Sequence, residues 1–146
     1  MKHVFPQRLF PAAPIGSLLK REHAERPAKG SRKLGVDEGH DKMIRQLPCL
    51  KCGIEPCLVA AHVRMNSAAH GKHQALGKKP ASAWTVPLCD ACHTRDPDSQ
   101  HRVGEHVFWN RININPLRVA RMLWAASGDV VKMRAIVMTA IAERET

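Results

Sequence analysis

Apolar positions are unevenly spread along this chain. After three early prolines (Pro6, Pro11 and Pro14), the run KREHAERPAKGSRKLGVDEGHDK carries dense charge and no apolar period. This predicts a basic, flexible N-terminal extension over residues 1–45, either ordered on binding or solvated and silent. From Leu47 the texture changes. LPCLKCGIEPCLVAAHVRMN has short apolar runs with Pro and Gly beside cysteines, which predicts a tight knuckle at 49–52 and a strand around 57–64. SAAHGKHQALGKKPASA reads as a long loop and WTVPLC as a second short strand, so the two strands form a β-hairpin with a broad connection.

Helical signals dominate the remainder. RDPDSQHRVGEHVFWNRI predicts a helix with Asp96 as N-cap, Pro97 in the first turn and Asp98 favoured by the helix dipole. In NPLRVARMLWAASG, Asn115 caps, Pro116 opens and Gly128 closes, with Leu117, Ala120 and Trp124 on the apolar face, flanked by Val119 and Leu123. Val130, Met133, Val137 and Ile141 mark a last amphipathic helix. The predicted architecture is α+β: a domain over 46–127 built on a hairpin and helices, then a C-terminal helix over 128–146 that packs on the domain or a partner. The wide apolar arc of that helix keeps open an oligomerisation surface, with the chain a monomer or dimer. Trp109, Trp124, Leu117, Leu123 and Phe108 are the expected core.

A chain of 146 residues has room for one domain plus extensions. No run approaches the roughly 18 apolar residues of a membrane span, and the N-terminus lacks a secretory apolar run, so a soluble, cytoplasmic protein is expected. The net charge of +10 and sequence pI near 9.9 call for an anionic partner, without separating nucleic acid from an acidic protein or membrane surface.

Five cysteines, an odd number, fit a disulfide framework poorly. Cys49 and Cys52 form one C-x-x-C pair and Cys89 and Cys92 a second, with 36 residues between them. Two such pairs suit a structural Zn²⁺ held by four thiolates, each knuckle presenting two of them from a tight turn. A redox dithiol is the weaker rival because neither pair sits in a strand-to-helix context, and plain buried cysteines are a third reading. Cys57 is left over, read as a small buried hydrophobe at the strand start rather than a fifth ligand, with replacement of Cys52 open if the knuckle runs differently.

The ordered set of C-x-x-C, a strand with AHVR, a loop, WTVPLC-x-x-CH and a later QH resembles the HNH endonucleases, which use the ββα-metal motif. It looks closest to small phage and prophage members, which include recombination-enhancement nucleases, and the likeness extends through FWNRININPLRVARMLW. The resemblance implies a zinc-stapled ββα-metal hairpin–helix core with additional C-terminal helices, acting as a metal-dependent DNA endonuclease. It makes His62 the general base, Arg64 a brace for the phosphate, and His93 and His101 ligands of a catalytic divalent metal, Mg²⁺ or Mn²⁺ with Zn²⁺ or Ni²⁺ as further options. Two positions depart from the family pattern: Ala61 stands where many relatives carry a ligand, and the family's middle Asn has no match near Ser82 or Trp84. Waters, Asp96, Asp98 or the substrate are then left to complete the metal's shell. A non-catalytic zinc module that binds DNA or a recombination protein is the alternative.

Between Glu55 and Asp90 there is no acidic residue, while Arg64, Lys72, Lys78 and Lys79 fall inside that window. These four are the expected DNA-backbone contacts, with low sequence preference because no helix with clustered reading residues appears. Arg64 as a plain surface charge and His101 as an ordinary first-turn residue are the competing readings, and His70, His73 and His106 are expected at the surface.

Overall fold

Pro48, Gly53 and Pro56 cut the chain after Leu47 into tight turns, and the small and β-branched residues that follow form strand β1 (Val59–His62). It pairs antiparallel with β2 (Thr85–Leu88), Val59 opposite Leu88 and His62 opposite Thr85. A computed structural model describes residues 35–73 and 79–144, so Lys78 and most of the predicted extension lie outside the described residues. Among these, the two strands are the only sheet, and five helices accompany it: α1 (Glu38–Arg45), α2 (Gln100–Val103), α3 (Glu105–Arg111), α4 (Pro116–Ala125) and α5 (Val130–Arg144). The fold is α+β, and no helix among the described residues is long and apolar enough to cross a membrane.

All four residues of β2 are buried because α1 and α4 both pack against it. The core joins Leu47, Leu50, Leu88, Phe108, Trp109 and Leu123, each at most 2% exposed. Burying one such leucine contributes on the order of 2 kcal/mol. α5 adds Met133 and Val137 to the same core. Its polar side is tied down as well: Arg134 donates to both oxygens of Glu55 at 2.9–3.2 Å, and Arg144 donates to the Leu50 carbonyl at 2.8 Å.

Three boundaries differ from those the sequence predicts. The predicted extension ends short of residue 45, since Glu38–Arg45 is a helix capped by the Asp37 carboxylate, which accepts from the His40 amide at 3.0 Å. Its buried residues are His40, Asp41 and Ile44, so a largely polar stripe faces the core and hides the helical period from a hydropathy reading. The Ser82 hydroxyl donates to Asp41 at 3.2 Å and accepts from the Asp37 amide at 2.9 Å, and His40 Nδ1 lies 2.9 Å from the Ser127 hydroxyl. Asp96 does not open a helix. A wide helical turn already spans Ala91–Arg95 and ends there, Ser99 precedes α2, and Gly104 at φ +88° separates α2 from α3. The helix at Asn115 starts as predicted, the side chain accepting from the Leu117 and Arg118 amides at 3.1 and 3.2 Å, but it ends at Ala125, before Gly128. Trp124, expected in the core, is 42% exposed and meets His40 edge-on at 4.9 Å.

Candidate metal centre and adjoining cavity

Each C-x-x-C pair sits in a turn whose backbone shapes it. Cys49 accepts through its carbonyl from the Gly53 amide at 2.8 Å, and Gly53 takes a φ of +75° that a side chain would strain. In the second knuckle the Cys92 amide approaches Cys89 Sγ at 3.5 Å and the His93 amide donates to the Cys89 carbonyl at 2.9 Å. The Leu50 amide donates to the Pro87 carbonyl at 3.0 Å, which fastens the first knuckle to β2 just before the second. The four ligand sulfurs of Cys49, Cys52, Cys89 and Cys92 consequently lie within 4.8 Å of one another. The Cys52–Cys89 separation of 3.6 Å is far too long for a disulfide and close to the edge, about 3.8 Å, of a tetrahedron with Zn–S bonds of about 2.3 Å. The four-cysteine cluster therefore fits a zinc ion. Cys57 stands apart: it is buried, its thiol points to the Ile44 and Val59 carbonyls at 3.3 and 3.4 Å, and burial pushes its pKa up to about 11.

The same knuckle delivers His93. It is the residue after Cys92, in the helical turn, and its Nε2 lies 3.0 Å from Nε2 of His101 on α2, the rings edge-to-face. That spacing suits a hydrogen bond with one ring as donor. It also matches two adjacent ligands at right angles on one divalent ion with bonds of about 2.1 Å. Imidazole nitrogen suits Zn²⁺ and Ni²⁺ better than it suits Mg²⁺. Among the described residues the four cysteines are the one group of three or more metal-ligating side chains, so no third such ligand joins His93 and His101. Burial holds the His93 pKa below the ordinary imidazole value, and the neighbouring His101 adds to this.

His62 ends β1 and lines a cavity of about 290 Å³ together with Arg64, Gln100, His101, Gly104 and Glu105. Burial lowers its pKa, Lys79 and Arg64 lower it further, and the buried carboxylate of Asp41 opposes them. At neutral pH its imidazole is uncharged and able to accept a proton.

Glu105 was not singled out by the sequence, where it reads as an ordinary charge inside the helix predicted from Asp96. Its carboxylate accepts from the Arg64 amide at 2.9 and 3.0 Å and from the Met65 amide at 2.9 Å, clamping the end of the His62 strand to α3. Gln100 Nε2 donates to the same carboxylate at 3.0 Å, which orients the amide and leaves its buried Oε1 without a partner beside the cavity. The only sequence signal for this pair is its place on either side of Gly104.

The expected DNA contacts separate. Arg64 and Lys79 are exposed. Lys72 is 2% exposed, because a tight turn pairs Ser67 with Lys72 and folds the side chain inward. Its ammonium donates to the Met65 carbonyl at 2.8 Å and sits 6.0 Å from the Trp84 ring, so it braces the loop and is withdrawn from any phosphate backbone. Asp98 is paired with Lys51, and Asp96 caps the turn at Arg95, so neither is among the residues lining the histidine cavity. His73 and His106 are exposed, whereas His70 is half-buried with Nδ1 3.0 Å from the Ser67 hydroxyl. No family model matches the chain, and no curated protein or solved structure matches it.

Proposed function

We propose that the protein is a metal-dependent DNA endonuclease of HNH type with a zinc-stapled ββα-metal core, acting with low sequence preference in phage or prophage DNA recombination or processing. The observation that carries this reading is the meeting of three histidines from three elements: His62 and His101 line one cavity, and His93 reaches His101 at 3.0 Å. His62, neutral and half-buried, takes a proton from a water aligned on the scissile phosphorus. The exposed Arg64 guanidinium holds a non-bridging phosphate oxygen. A divalent cation held by His93 and His101 supplies, when bound, positive charge against the departing 3′ oxygen. The four-thiolate zinc has a structural role and keeps His93 in place beside Cys92.

Supercoiled plasmid and single-stranded DNA incubated with Mg²⁺, Mn²⁺ or no added metal test this reading. Metal-dependent nicking is expected, and it should vanish in a folded, zinc-loaded His62→Ala protein. Undiminished cutting by His62→Ala would sink the assignment of the base. The second reading, a zinc module that binds DNA without cutting it, draws on the two-residue ligand set and on Ala61, fully buried where a ligand is expected. DNA binding without cleavage under any metal would establish it.

A further inference from the structure

Beside the histidine cavity lies a larger groove of about 690 Å³, within the size range of pre-formed ligand sites. The two share their walls: Arg64 and Glu105 line the first, while the next residues along the chain, Met65 and His106, line the second. The Glu105 carboxylate, bound to the Arg64 and Met65 amides, is the partition. No acidic residue lines the groove, although four asparagines do. Trp109, also in its lining, is 2% exposed, and its indole N–H has no acceptor.

We propose that this groove is a second binding site, for the unpaired strand of a polynucleotide running on from the histidine cavity. The inference rests on the nucleic-acid substrate of the proposed function. Carboxamides such as Asn110 and Asn113 offer a donor and an acceptor side by side, the pattern that base edges match. Arg118 supplies a charge for phosphate at the rim, and its 3.7 Å surface pair with Glu143 contributes little that would hold it back. A base reaches amides inside a concave groove only when it is splayed out of a duplex, so a single strand is the ligand that fits.

The test uses the full chain carrying His62→Ala, so that the strand stays intact, and a fluorescent single-stranded oligonucleotide beside a duplex of the same sequence. Asn110→Asp and Arg118→Gln, both at exposed positions, are each expected to weaken single-strand binding on the order of tenfold, with a smaller effect on the duplex. The Trp109 indole proton resonance, assigned through Trp109→Phe, should move on adding the single strand. Unchanged affinity in both variants, equal losses for the duplex, or no binding of the oligonucleotide at all would overturn the proposal. A wild-type protein that cuts nothing but binds through these residues leaves the groove standing and removes only the nuclease reading. A protein that cuts DNA and keeps its affinity in both variants removes the groove alone.

Discussion

At the scale of single residues, the chemistry turns on which side chains are neutral and which are held. His62 is half-buried with Lys79 and Arg64 on its cationic side, and all three factors depress its pKa. On the proposed nuclease reading His62 is the general base and must be unprotonated, so cleavage should be fully developed at pH 7 and fall only as pH drops through a value below the usual imidazole pKa of about 6.5. Replacing Lys79 by Gln removes one of the depressing charges and should move that acid limb of kcat to higher pH; a pH–rate profile of the two proteins checks the direction, and an unmoved limb would show that another group titrates. Cys57 sits at the opposite extreme. Buried against backbone carbonyls with its pKa at about 11, it is protonated throughout the working range and is a poor candidate for either ligation or oxidation.

At the scale of elements, the Glu105 clamp connects β1 to α3, and with it His62 to the helix that follows the His101 segment. A carboxylate is acceptor-only and meets two amides and one carboxamide without conflict. Glu105→Gln keeps the shape and turns one oxygen into a donor facing donors. It should lower stability by about 1–3 kcal/mol in urea unfolding. In the nuclease reading kcat should drop with little change in KM, because His62 loses its registration while the phosphate-binding Arg64 side chain remains. A variant with wild-type stability and kcat would show that the clamp is ornamental.

For the molecule as a whole, the four-cysteine cluster joins the two ends of the hairpin. Cys49 and Cys52 precede β1, Cys89 and Cys92 follow β2, and α5 leans on the same region through Arg134 and Arg144. A zinc ion there cross-links segments that otherwise hold together through a two-stranded sheet, which is marginal on its own. Native mass spectrometry should find one zinc per chain, and a strong chelator should lower the melting temperature markedly. Cys52→Ser, at the most exposed of the four positions, should abolish zinc retention and the chelator's effect together. An unchanged melting curve on chelation would rule out a structural metal.

Several features belong to the sequence alone because their causes are local. The Asn115–Pro116 helix start, the turns around the cysteine pairs and the short apolar strands each depend on a few neighbouring residues, and each stands where it is predicted. The pairing of two C-x-x-C motifs was legible for a similar reason, since two thiolates from each of two tight turns suit one four-coordinate ion. Where sequence and structure part, distant packing decides. The buried stripe of α1 is polar because Ser82 and Ser127, some forty and ninety residues away, each give one hydrogen-bond partner to Asp41 and His40. Lys72 looks like a surface charge until the Met65 carbonyl and Trp84 ring close over it. Asp96 carries a sound capping signal, yet the knuckle at Cys89 and Cys92 has already wound the chain into a helical turn that ends there. Glu105 meets backbone amides 40 and 41 residues earlier in the chain, and no pattern along the chain encodes that contact. The candidate site residues were thus present in the sequence, but the meeting of His62, Arg64 and His101 at one cavity, with His93 beside His101, came from tertiary packing, because a hydrogen bond or a shared ligand depends on distance in space rather than on spacing in the chain.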